Sequence, residues 1–109
     1  MPGHDYKCDN SRAEERALWV RMRGGDADAR RLLIESIIPW AHNIVNRVAA
    51  RFYRPGLDRE DLLHVAVLVI VRCLKTFDPD KGRLSTWVEM PIRNGVRRNI
   101  TEQSSVVRR

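Results

Sequence analysis

Five side chains near the C-terminus, Trp87, Met90, Asn94, Arg97 and Arg98, carry the chemistry needed to hold an unpaired nucleotide. An aromatic ring stacks on a base for about 1–3 kcal/mol, an amide offers a base edge a donor and an acceptor together, and a guanidinium grips phosphates or guanine edges bidentately. At about 100° per residue with Asn94 as zero, Trp87 falls at about 20°, Arg98 at about 40°, Pro91 at about 60°, Arg97 at about 300° and Met90 at about 320°, one shared helix face. The opposite arc holds Val88, Ile92, Val96 and Ile100, a core stripe. Lys81 and Arg83, in the preceding FDPDKGR segment, extend the positive strip, and Ser85 and Thr86 lead into it. The same residues allow a plainer reading, in which Trp87 packs beneath the FDPDKG loop and the arginines are simply solvated. Spacing alone leaves both open.

The charge balance points the same way. Lys and Arg number 20 against 14 acids, a net charge of +6, and the excess is concentrated beyond Val71. A localised basic surface attracts polyanions because each phosphate neutralised releases condensed counterions.

Other chemistry finds little support. The only dense acid cluster, Asp58, Glu60 and Asp61, opens a helix, where carboxylates serve as caps and dipole partners. His42 and His64 have no evident nucleophile or metal partner, so no enzyme is expected. His4 and Cys8 stand at helical spacing without the second pair a metal site needs, and Cys8 and Cys73 suggest no disulfide framework. No cofactor is expected. The longest apolar run, Val65 to Val71, is far short of the roughly 20 residues of a membrane span, and the polar opening MPGHDYKCDN lacks a signal peptide's apolar stretch. A cytoplasmic location with no membrane partner is the expectation.

The elements that must position these residues read as helices. With 109 residues the chain forms one domain, taken as residues 12–103 between an N-terminal tail (1–11) and a polar tail (104–109). The fold class is all-α, a compact bundle of about four to five helices. The first helix spans Arg12 to Arg23 and stops at Gly24-Gly25. Asp26 caps a long pattern with Leu33, Ile37, Ile44, Val48 and Phe52 on one face, broken before Pro39 into two pieces. Arg54-Pro55-Gly56 is a turn, and Asp58 opens the next helix. Its body, LLHVAVLVIVRCL, is apolar almost all round; Val65 to Val71 alone also fits a buried strand, but the cap and the lack of a partner strand favour a helix. The last helix begins near Thr86, with Glu89 completing a capping box, and runs to about Ile100, with Pro91 bending its first turn.

Four blocks, GGDADARRLL, LDREDLL, KTFDPDKGRLSTW and IRNGVRR, occur in an order and spacing that resemble region 2 of bacterial sigma-70 family sigma factors, over about Leu18 to Glu102. The stretch from Trp87 to Arg93-Asn94 looks most like the extracytoplasmic-function group. The resemblance implies an all-helical domain that works as a subunit of RNA polymerase. One helix docks on the clamp helices of the β′ subunit; the last helix and its preceding loop recognise and hold open the promoter minus-ten element on the non-template strand. By position, Asp61, His64, Val65, Leu68 and Arg72 would lie on the polymerase-binding helix. Lys81, Arg83, Ser85, Thr86, Trp87, Met90, Asn94, Arg97 and Arg98 would form the promoter surface, with Trp87 supporting an unstacked base.

Two departures qualify what is carried over. After Asp61-Leu62-Leu63 the family usually shows a Gln-Glu pair, where this chain has His64-Val65-Ala66-Val67, and Pro91 replaces a residue compatible with uninterrupted helix. The apolar helix 62–74 therefore also supports an alternative: a sigma-like regulatory module binding a partner, such as an anti-sigma factor, or a second copy of itself.

Overall fold

A computed structural model describes residues 11–52 and 58–107, with side chains up to Thr101. Four α-helices follow in order: α1 (Arg12–Arg23), α2 (Ala27–Arg51), α3 (Arg59–Leu74) and α4 (Leu84–Val107). The described residues contain no strand, so Val65 to Val71 is helix. The Arg54-Pro55-Gly56 turn and the His4–Cys8 pair lie outside the described residues.

Each start is set locally. Ser11, assigned from sequence to the tail, is the N-cap of α1 and forms a capping box with Glu14. Asp26 accepts from the amides of Asp28 and Ala29 at the start of α2. Asp58 accepts from the Glu60 amide at the start of α3. Between α1 and α2, Gly25 has φ +98°, a left-handed conformation that excludes most side chains.

Three boundaries differ from those read in the sequence. Pro39 does not divide α2: it is exposed, so its missing N–H leaves the Glu35 carbonyl on the solvent side, while fully buried Ile37, Ala41 and Ile44 hold the helix against the core. Among the described residues the count is therefore four. The last helix starts at Leu84, so Thr86 lies inside it and the Thr86–Glu89 capping box does not form; Glu89 pairs instead with Arg93. At its other end α4 continues to Val107, through residues 104–107 of the expected polar tail, because nothing in TEQSSVV stops a helix.

The core is one contiguous cluster. Leu33, Ile37 and Ile44 of α2, Leu62, Ala66 and Ile70 of α3, and Leu84, Val88, Ile92, Val96 and Ile100 of α4 are all fully buried. The spacing of three and four puts each set on one face, and α2, α3 and α4 pack mutually while α1 lies against α2. Helix α3 crosses α4 at Gly95, where a Cβ would sit 3.1 Å from Val69 Cγ2 and 3.6 Å from Val65 Cγ1.

Gly95→Val should therefore lower stability by about 1–3 kcal/mol through overpacking. Gly82→Ala, with nothing within 4 Å of the added carbon, should leave the melting temperature nearly unchanged. Thermal unfolding by circular dichroism compares the two.

Candidate nucleic-acid interface

The start of α4 and the loop before it are fixed by four ties from α1 and α2. Trp19 Nε1 of α1 donates to the Phe77 carbonyl at 2.9 Å, and Trp40 Nε1 of α2 donates to the Ser85 carbonyl at 3.1 Å. Arg16 of α1 pairs with Asp80. The fourth tie is Glu15, 1% exposed, whose Oε1 accepts from the Leu84 amide and from Arg83 Nε, each at 3.1 Å. A buried carboxylate is tolerable only with donors around it. Here it meets the first turn of α4, where backbone N–H groups have no partner within the helix.

Phe77, 2% exposed, extends this anchoring to the site itself. It meets Trp87 edge-on, with ring centroids 5.9 Å apart and planes at 66°. Trp87 is half-buried and packs on the core margin. The two sequence readings of this indole thus both hold in part: one portion rests on Phe77 under the loop, and the remainder stays open.

From Trp87 the ridge runs along exposed Met90, Asn94, Arg97 and Arg98, with Pro91 beside it. Met90 is 58% exposed. Lys81 and Thr86 are exposed as well. Two residues of the expected promoter surface are placed differently. The Arg83 guanidinium is engaged by Glu15, because a buried carboxylate draws the nearest cation. Ser85 is half-buried, its carbonyl bonded to Trp40.

Helix α3 presents a second strip. Asp61, His64, Leu68 and Arg72 are exposed at spacings of three and four, and Leu68 is 62% exposed. Val65, expected with them, turns toward Gly95 at the α3–α4 crossing. Among the described residues no cluster of three or more His, Cys, Asp or Glu could hold a metal, and no helix is long and apolar enough to cross a membrane.

Sequence reasoning missed Glu15, Trp40 and Phe77. Glu15 and Trp40 act across more than 40 residues of chain and Phe77 meets Trp87 across ten, so no helical spacing signals them.

With this geometry in view, comparison with known proteins is decisive. The family model described as Sigma-70 region 2 matches residues 33–106. The chain belongs to the sigma-70 family, as its region 2. It is 32% identical over 96 residues to the RNA polymerase sigma factor RpoS of Coxiella burnetii, covering 87% of this chain and 26% of that protein. It is also 32% identical over 86 residues to the RNA polymerase sigma-28 factor of Bacillus thuringiensis subsp. kurstaki, covering 76% of this chain and 34% of that one. The chain thus spans between a quarter and about a third of the length of these relatives. The match reaches the family and this region of it, not the extracytoplasmic-function group.

Glu15→Ala should cost about 1–3 kcal/mol, since it strands a helix N–H and a cation, and should speed hydrogen exchange at the Leu84 amide. Glu15→Gln, which keeps an acceptor, should cost less. The Arg16 guanidinium holds the Asp80 carboxyl below its ordinary range, and Arg21 does the same to Asp26. A carboxyl whose folded pKa is lowered adds stability above its unfolded pKa, about 3.9, and loses it as pH falls through the lower folded value. Melting temperature should therefore drop as pH falls below about 4. The drop should be shallower in Asp80→Asn, and shallower for the unaltered chain at high salt, because both pairs are exposed.

Proposed function

We propose that this chain is the part of an RNA polymerase sigma factor that captures non-template bases of the promoter minus-ten element while docked on core polymerase. It catalyses nothing: polymerase supplies the chemistry, and this domain receives bases that leave the duplex. The cytoplasm, where the polymerase works, is its place of action. The observation that carries the reading is the half-open Trp87 ring, braced by Phe77 at the head of the Met90–Asn94–Arg97–Arg98 ridge. A braced indole loses little freedom when a base stacks on it, and the guanidiniums hold the strand nearby. Unstacking a base costs a few kcal/mol, so stacking and phosphate contacts offset it only with polymerase holding the DNA in place.

The α3 strip fits the docking half of this function. Its single exposed leucine lies among Asp61, His64 and Arg72, which suits a partner surface of polar contacts around one apolar pocket. Self-association through the whole apolar helix is less favoured, because Leu62, Ala66 and Ile70 are buried and Val65 and Val69 lie against Gly95. An anti-sigma factor would act by covering the same strip.

Trp87→Ala should weaken binding to a single-stranded minus-ten oligonucleotide by about 1–3 kcal/mol, and Trp87→Phe by less. Open-complex formation by reconstituted holoenzyme that is indifferent to Trp87→Ala would refute the stacking role. Leu68→Asp should abolish co-elution with core polymerase while shifting stability by under about 0.5 kcal/mol. Light scattering that instead found a dimer dispersed by this change would support the interaction-module alternative.

A further inference from the structure

Among the described residues, three of the four helices carry their own cap: Ser11, Asp26 and Asp58 each turn a side-chain oxygen onto the amides that follow. Helix α4 cannot, because the residue before it, Arg83, has no acceptor in its side chain. The acceptor that meets the Leu84 amide comes instead from Glu15, 69 residues earlier on α1. Both bonds of this carboxylate, to that amide and to Arg83 Nε, go to Oε1, while Oε2 is buried without a hydrogen bond. A carboxylate is a costly way to fill buried space, since an apolar side chain of similar length would escape the desolvation. What an apolar side chain could not supply is a fixed acceptor for the first turn of α4.

That turn holds the indole. The Arg83 carbonyl accepts from the Trp87 amide at 3.0 Å, the first bond of the helical ladder. Trp87 has no matching bond at its other end, because Pro91, four residues on, lacks an N–H. The place of Trp87 in the helix thus rests on Arg83, which Glu15 holds by its side chain. Phe77 steadies the ring and Trp40 the Ser85 carbonyl, but neither side chain has an acceptor to offer an amide.

We propose that Glu15 is a positioning residue for base capture: it caps α4 from another helix and so presents the Trp87 ring to the incoming base at a fixed angle. The inference rests on the promoter reading of Trp87 and extends it to α1, a helix outside the proposed promoter surface. Without this acceptor the Leu84 amide and the Arg83 guanidinium turn to water, the first turn of α4 frays, and the ring must be ordered afresh each time a base stacks on it.

The test titrates the full chain, by fluorescence anisotropy, with a single-stranded minus-ten oligonucleotide and with copies made abasic at one position each. The position whose loss weakens binding most marks the captured base. Stacking should favour the intact strand over that copy by about 5–150-fold. This ratio reports on capture, because a loss of folded protein weakens both probes alike. Glu15→Met fills the space without an acceptor and should cut the ratio by at least about threefold while circular dichroism shows the helices retained. Glu15→Gln, which keeps an oxygen for the Leu84 amide, should hold it within about twofold of the unaltered chain. In a Trp87→Ala background Glu15→Met should leave the ratio unchanged, because the ring it positions is gone. A ratio that folded Glu15→Met leaves intact, or lowers equally with and without Trp87, overturns the positioning role while the Trp87 reading stands. So does a Glu15→Gln chain as impaired as Glu15→Met. If Glu15→Met does not fold, Glu15→Asp, which keeps the charge but ends one methylene short, takes its place with the same outcomes. An unaltered chain with no preference for the intact strand sinks the promoter reading itself, and the positioning role with it.

Discussion

The direction of α4 depends on a carboxylate that the core has taken out of water. Glu15 leaves α1, is almost wholly buried, and ends on the Leu84 amide and the Arg83 guanidinium. A charge in that position must be met by donors, and the donors nearest to hand are the first N–H of a helix and the cation before it. The bond therefore fixes where α4 begins. Arg16, the next residue, and Trp19, one turn further along α1, fasten the loop that leads into it. Helix α1 contributes little to the core, yet it clamps the segment that presents the site.

That clamp explains how an aromatic side chain can be both held and available. Phe77 is fixed by its own burial and through its carbonyl by Trp19, and its ring meets the Trp87 ring at a steep angle. This tilted contact restrains the indole, which stays partly exposed. Pro91 acts on the same turn: it has no N–H to offer the Trp87 carbonyl four residues back. The helix survives because Pro91 is exposed and Val88 and Ile92 anchor it on the buried side.

Helix α3 divides its apolar surface by the same logic. Leu62, Ala66, Ile70 and Leu74 fill the core, Val65 and Val69 close on Gly95, and Leu68 is left among polar neighbours. A near-continuous apolar run thus yields two unlike faces. Close approach at a glycine lets α4 cover most of it.

By itself the sequence determined the helices, their caps at Asp26 and Asp58, the core stripe of α4 and the solvent face carrying Met90, Asn94, Arg97 and Arg98. These follow from side-chain chemistry repeated at a period of 3.6, which neighbouring residues suffice to define. The position of Pro39 did not reveal that α2 runs through it, because continuity came from packing on the opposite side. Only the tertiary structure decided that Arg83 belongs to Glu15, that Val65 faces α4 and that Trp87 is braced by Phe77. Each of these joins residues separated by ten positions or more, and such distances close only when a shared core brings the helices together.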